Sequence, residues 1–79
     1  MSFRSEKVGF LVDFPIDGTG TIVSIDTDND LQSRLMGLGL FVGIRFRLLQ
    51  GGNASPLILA VGDTRIVLGH ELGRRIQVE

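Results

Sequence analysis

Residues 28–43 read DNDLQSRLMGLGLFVG, a pattern typical of a short helix placed between strands. Asp28 or Asn29 can cap such a helix, because a side-chain oxygen there accepts a hydrogen bond from a free N–H of the first turn. Gly39 is placed to end the helix in a left-handed conformation. We therefore expect a helix over about residues 30–37, two to two and a half turns long. Its apolar stripe, at spacings of four and three, consists of Leu31, Leu35 and Leu38.

Strand patterns lie on both sides of this helix. Residues 19–26, TGTIVSID, are rich in β-branched side chains, which favour an extended chain. In Gly43–Leu49 apolar residues alternate with Arg45 and Arg47, the period of a half-buried strand. The chain is therefore predicted to be mainly β, as a small antiparallel barrel with one inserted helix. The remaining predicted elements are strands at Leu57–Val61, Arg65–Leu68 and Ile76–Val78, turns at Gly51–Asn53 and Gly62–Thr64, and a single-turn helix near 70–74.

The segment Leu57–Val61, LILAV, is apolar at every position. Such a run predicts a strand that is covered on both faces or that lies in an interface. It would suit the edge of a homodimer, and an interior barrel strand explains it equally well.

Composition limits the domain count and the chemistry. With 79 residues the chain forms one domain, 1–79, in which we expect 1–7 to be a loose N-terminal extension. It has no Cys, so thiolate zinc sites, disulfides and thiol nucleophiles are excluded, and a cytoplasmic location is favoured. No apolar run approaches the roughly 20 residues of a membrane helix. The 8 basic and 9 acidic residues leave a net charge of −1, which disfavours a nucleic-acid binder.

Few residues are candidates for metal chemistry or catalysis. Asp26-Thr27-Asp28-Asn29-Asp30 opens like a calcium loop but lacks the later Gly and Glu, so helix capping is the better interpretation. His70 and Glu71 could contribute to a labile Fe(II) or Zn(II) site only with ligands from elsewhere, since one His and no Cys cannot close a tetrahedral site. With one His and no nucleophile motif, we expect no enzymatic activity.

Residues of the helix and of the turn after it are candidates for partner binding. Met36, Leu38, Phe41 and Val42 belong to an apolar stretch that a short helix cannot bury entirely, and exposed apolar patches mark interaction sites. Arg34 stands among them and would either bind an acidic partner or, as the favoured interpretation, pair with a neighbouring aspartate. The neighbouring aspartates are Asp26, Asp28 and Asp30.

At the helix the sequence resembles one family. Residues 34–40, RLMGLGL, followed by Gly43, are similar to the RLM-x-(L/M)-GL-x-x-G signature of the FeoA family of ferrous-iron transport accessory proteins. The resemblance extends over about residues 11–78. It departs from the family pattern at Asp17, where a Gly is usual, at Val42, where a Pro is usual, and at 69–70, where a basic pair is usual. The flanking matches are Leu11, Phe14, Gly20, Ile22, Ile25, Pro56, Leu68, Glu71, Ile76 and Val78.

The resemblance implies a fold and a partner. It implies an SH3-like barrel and a non-enzymatic accessory protein that binds the cytosolic domain of a GTP-driven ferrous-iron permease. The protein would be cytoplasmic and would reach the inner face of the inner membrane only through that partner. We expect the contact at Arg34, Met36, Leu38, Phe41 and Val42.

Three alternatives stay open. The chain could be a small transition-metal carrier that uses His70 and Glu71. It could be related to the SH3-like domains of iron-dependent repressors, which have the same fold as the family that the sequence resembles. An RNA-binding barrel would use Arg45 and Arg47 with the basic pair 74–75, although the net charge disfavours it.

Overall fold

The structure is a computed structural model that describes residues 8–52 and 56–79. The expected extension at 1–7 and Asn53 of the predicted turn lie outside these residues. In chain order the elements are β1 (Gly9–Phe10), a 3₁₀ turn (Leu11–Asp13), β2 (Thr19–Ile25), α1 (Asn29–Leu38), β3 (Arg45–Gln50), β4 (Leu57–Val61), β5 (Thr64–Leu68), α2 (His70–Gly73) and β6 (Ile76–Val78).

Within residues 8–52 and 56–79 six strands form one antiparallel sheet in the order β1-β6-β2-β3-β4-β5. Strand β2 changes partner along its length. Its first part, Thr19–Thr21, pairs with β3, and its second part, from Ile22 to Ile25, pairs with β6, with a register irregularity between Ile22 and Ser24. One long strand therefore belongs to both halves of the sheet. The predicted small SH3-like barrel with an inserted helix is confirmed.

Strand β4 corrects the interpretation of the LILAV segment. Leu57 and Leu59 are buried and Val61 packs against the core on the same face, whereas Ile58 and Ala60 are half-buried on the other face. The strand is hydrogen-bonded to β3 on one side and to β5 on the other. Strand β4 is therefore the interior barrel strand that the sequence also allowed. The expected dimer edge is wrong because both edges of the strand are already paired, and the outer face is half-buried rather than covered.

The core lies on the inner face of the curved sheet, and Leu11, Leu35 and Leu40 add to it from the 3₁₀ turn, from α1 and from the residue after the helix end. No polar or charged side chain is buried in it within 8–52 and 56–79. Phe14 packs on this core, with its ring 5.1 Å from that of Phe46. The buried hydrophobic residues are Leu11, Ile22, Ile25, Leu35, Leu40, Phe46, Leu48, Leu57, Leu59, Ile66, Leu68, Ile76 and Val78.

Helix α1 begins where the sequence places its cap. The Leu31 N–H donates to Asp28 Oδ1 at 2.9 Å, so Asp28 is the N-cap. At the other end Gly39 has φ 99°, and the N–H groups of Gly39 and Leu40 donate to the carbonyls of Met36 and Leu35, each at 2.9 Å. This pair of bonds is the Schellman motif. The ten-residue helix is nearly three turns long, longer than expected, because the two caps enclose one more residue at each end.

The expected apolar stripe is wrong at Leu38. Leu35 is buried and Leu31 packs on the core, but Leu38 is 57% exposed. It lies about 60° around the helix from Leu35, at the last helical position. The left-handed Gly39 then reverses the chain, so that Leu40, fully buried, enters the core in its place.

Asp17 adopts the left-handed conformation at a position where the FeoA pattern has Gly. Its φ is 72°, the one positive value outside glycine in the described chain. Its N–H donates to the Leu48 carbonyl at 2.7 Å, which fixes the turn before β2 onto β3. Aspartate is among the few non-glycine residues that tolerate this region, so the substitution keeps the turn.

No helix among the residues described is long and apolar enough to cross a bilayer.

Candidate functional site

The turn that follows α1 holds two of the predicted contact residues. The Ile44 N–H donates to the Phe41 carbonyl at 3.1 Å, and Gly43, the third residue of the turn, has φ 97°. These are the features of a type II β-turn. The Gly43 N–H also donates to the Ile22 carbonyl at 2.8 Å, so the turn is fixed to the middle of β2. Phe41 and Val42 therefore project from a rigid support, 38% and 57% exposed.

A groove of about 230 Å³ lies between this turn and one flank of α1. Met36 of α1 is 61% exposed and forms one wall, opposite Phe41 and Val42. The floor includes buried Leu40 and Ile25. We call this feature the α1 groove; its lining residues are Ile25, Gln32, Met36, Leu40, Phe41 and Val42.

Gln32 is a groove residue that the sequence did not reveal. Its Nε2 donates to the carbonyls of Ile25 at 2.9 Å and Thr27 at 3.1 Å. These bonds fasten α1 to the end of β2 and satisfy two backbone carbonyls. Gln32 stands four residues before Met36, so both lie on the same flank of the helix, a spacing that could have suggested its position.

The five predicted contact residues do not form one surface. Met36, Phe41 and Val42 line the α1 groove, but Leu38 lies about 160° around the helix from Met36. Arg34 stands four residues before Leu38 and shares that opposite flank. Both are exposed.

Arg34 does not make the ion pair that the sequence favoured. Within 8–52 and 56–79 it forms no bridge to Asp26, Asp28 or Asp30. Asp28 is occupied instead by the helix cap. The expectation of a structural pairing is therefore wrong, and the guanidinium remains exposed at the surface.

The metal candidates lie apart from the α1 groove, in α2. Glu71 forms an exposed ion pair with Arg75, with Oε2 and a guanidinium nitrogen 3.7 Å apart. His70 is half-buried beside a cavity that Asp13 and Arg74 also line. In the described part of the chain no group of three or more His, Asp or Glu side chains is close enough to hold a metal ion.

The four arginines named for the RNA-binding alternative are divided between two regions. Arg45 and Arg47 project from β3 on the exposed face of the sheet, and Arg74 and Arg75 follow α2. The second pair lines a cavity of about 510 Å³ with Phe10 and Gln77.

Comparison with known proteins identifies the family. A sequence model of the FeoA domain matches residues 11–79, nearly the whole chain. The chain belongs to the FeoA domain family. No curated protein sequence matches it.

Solved FeoA structures share the fold. The chain is similar to a crystal structure of an iron uptake regulatory protein (FeoA), with a TM-score of 0.83 and 26% identity, covering 92% of this chain and 97% of that one. It also matches the solution structure of a FeoA protein from Chlorobium tepidum, with a TM-score of 0.81 and 18% identity over 90% of this chain and 69% of that one. These names link the FeoA family to iron uptake.

A repressor carries the same fold. A manganese-dependent transcriptional repressor matches 95% of this chain with a TM-score of 0.79 and 22% identity, and the match covers 42% of the repressor. At this identity the likeness concerns the fold alone.

Proposed function

We propose that the protein is a non-enzymatic accessory protein of ferrous-iron uptake that binds the cytosolic domain of a GTP-driven ferrous-iron permease through the α1 groove. Membership in the FeoA family supports the link to iron uptake. The observation that supports the docking site is the exposure of Met36, Phe41 and Val42 around one groove, on a turn and a helix that are both held by backbone hydrogen bonds. The protein would then act at the inner face of the membrane through its partner.

Three exposed apolar side chains on a small domain favour a protein partner. A chain of this size has little apolar surface to spare, and interface contacts are dominated by a few large apolar or aromatic anchors. Phe41 and Met36 are the largest such side chains in the α1 groove. Their backbones are held by the helix and by the turn, so little backbone freedom is lost when a partner covers them.

The test measures binding of the full chain to the purified cytosolic domain of the permease. Met36→Asp and Phe41→Asp each place a charge in the α1 groove, so we expect each to weaken binding by about tenfold or more, because a buried unpaired charge is strongly unfavourable. Biolayer interferometry gives the dissociation constants, and circular dichroism verifies that each variant is folded.

Leu38→Asp is the matched control. Leu38 is 57% exposed against 61% for Met36, stands on the same helix, and lies on the opposite flank. We expect this variant to bind like the wild type. Normal binding by folded Met36→Asp and Phe41→Asp variants would contradict the proposed site, and loss of binding in Leu38→Asp alone would move the contact to the flank that holds Arg34.

A further inference from the structure

Strand β5 forms one edge of the sheet, and no strand among the described residues pairs with its outer side. It is the last strand in the order β1-β6-β2-β3-β4-β5 and pairs with β4 over all five of its residues. No other residue within 8–52 and 56–79 pairs with it. An edge of this kind offers a row of backbone donors and acceptors to another strand.

The hairpin fixes which backbone groups point outward. Val61 and Thr64 face each other across a two-residue loop that begins at Gly62, whose φ is 59°. The residues that close such a loop are hydrogen-bonded to each other, and bonded and non-bonded pairs then alternate along the strands. Arg65 and Val67 are therefore the residues whose N–H and C=O groups point away from β4.

The side chains of the same two residues lie on the exposed face of the sheet. Val67 is 60% exposed and stands opposite Ile58 of β4. Arg65 stands opposite Ala60, which in turn faces Arg47 of β3, so two arginines lie in one row across three strands.

The positive charges of these arginines are only weakly balanced by acidic side chains. Arg47 meets Asp17 at 3.5 Å, but both side chains are more than half exposed, so the pair is weak. Arg65 makes no ion pair with any residue that the structure describes. Arg45 adds a third positive charge to the same face, two residues before Arg47.

We propose that the β5 edge binds an extended acidic segment of a partner protein as an added strand, with an acidic residue beside Arg65 and an apolar residue beside Val67. Main-chain hydrogen bonds to Arg65 and Val67 would provide the pairing, and the two side chains would select the sequence. This surface is separate from the α1 groove, and the proposal does not depend on the function proposed above.

The combination favours a peptide over other anionic partners. Neither a lipid bilayer nor a nucleic acid has a peptide backbone that could pair with a free strand edge. The net charge of −1 and the absence of Trp and Tyr also disfavour a polyanionic nucleic acid. A second copy of the chain paired through its own β5 in full overlap would bring Arg65 close to its symmetry mate, since diagonal neighbours on one face lie about 7–8 Å apart.

The probe is a synthetic peptide, acetyl-Thr-Val-Thr-Glu-Thr-Val-Thr-amide. Its sequence reads the same in both directions, so it places Glu beside Arg65 and Val beside Val67 without presupposing the strand direction. A second peptide with Lys in place of Glu is the control. Amide signals of the ¹⁵N-labelled full chain are followed during titration to millimolar peptide, and we expect the signals of Arg65 and Val67 to move while that of Met36 does not.

Two protein variants separate the backbone and charge contributions. Val67→Pro removes the outward N–H without removing a bond to β4, and proline is tolerated at such edge positions; we expect peptide binding to be lost. Arg65→Glu changes only an exposed charge, and we expect about fivefold weaker binding or more, because like charges directly opposite each other destabilise a strand pair. Arg74→Glu, an exposed arginine away from the sheet face, is the matched control and should bind normally.

The outcomes are decisive in either direction. The proposal is wrong if millimolar peptide leaves the Arg65 and Val67 signals unchanged, or if the Lys peptide binds as well as the Glu peptide. It is also wrong if the signals of this face respond to phosphatidylglycerol vesicles or oligouridylate but not to the peptide. Light scattering that shows a dimer, abolished by Val67→Pro, would instead assign the edge to a second copy. If Val67→Pro is unfolded, the Arg65→Glu and Arg74→Glu pair decides the result alone.

Discussion

Val42 occupies the second position of the Phe41–Ile44 turn, where type II turns often have proline. Its φ is not positive, and its N–H makes no backbone hydrogen bond in the described chain. We therefore predict that Val42→Pro raises the free energy of unfolding by about 0.5–1 kcal/mol, because proline restricts the unfolded chain more than the folded one. Urea denaturation followed by circular dichroism measures the change.

Val42→Gly is the opposite control and should lower the stability, since glycine gives the unfolded chain more freedom. Because proline is also apolar, Val42→Pro should still bind the permease domain. A destabilised proline variant would show that the geometry of this turn differs from type II.

For single residues, the sequence predicted the backbone conformation more accurately than the solvent exposure of the side chain. Gly39 was predicted as a left-handed helix end, because only glycine adopts that conformation without strain. The placement of Leu38 on the buried apolar stripe was wrong, because spacing alone does not show that the chain reverses after it and brings Leu40 into the core. Gln32 was missed, because its bonds to the carbonyls of Ile25 and Thr27 depend on how the helix lies against β2.

At the scale of elements, one glycine inside helix α1 and one just after its last residue have opposite roles. Gly37 lies within the helix, and a Cβ there would meet nothing within 4 Å. Gly39 is equally open but has φ 99°. We predict that Gly37→Ala raises the free energy of unfolding by about 0.5–1 kcal/mol, from helix propensity, whereas Gly39→Ala lowers it by about 1–2 kcal/mol, from the left-handed backbone.

Thermal and urea unfolding of the two variants measure this difference. Each variant is the control for the other, because both add one methyl group to the same open end of the helix. A destabilising Gly37→Ala would mean that the helix is interrupted there, and a neutral Gly39→Ala would mean that the Schellman end can rearrange at no cost.

Elements with a clear period were predicted within about two residues of their bounds. Strand β3 is one example, because Arg45 and Arg47 alternate with buried side chains. The two-residue strand β1 and the 3₁₀ turn at Leu11–Asp13 were missed, since segments this short have no period. The α1 groove could not be predicted as a unit, because it forms between α1 and a turn whose relative placement depends on tertiary hydrogen bonds.

At the scale of the whole molecule, strand β6 joins the first described strand, β1, to the long strand β2. It lies between β1 and β2, so that Val78 faces both Gly9 and Ile22. Glu79 extends this pairing, with two backbone bonds of 3.0 Å to Thr21. The strand order was not predictable from local patterns, because a three-residue segment carries no signal of its partners. The resemblance to FeoA proteins implied the barrel as a whole.

This position predicts that the last strand is required for cooperative stability. Val78 is 1% exposed, whereas Val67 on β5 is 60% exposed. We predict that Val78→Ala lowers the free energy of unfolding by about 1–3 kcal/mol, because it removes buried methyl groups at the point where three strands meet. Val67→Ala removes the same atoms from the surface and should change it by less than about 0.5 kcal/mol. Urea denaturation measures both variants, and amide signals from β2 and β5 should disappear at the same midpoint if the sheet unfolds as one unit. Equal effects of the two substitutions would contradict the role assigned to β6.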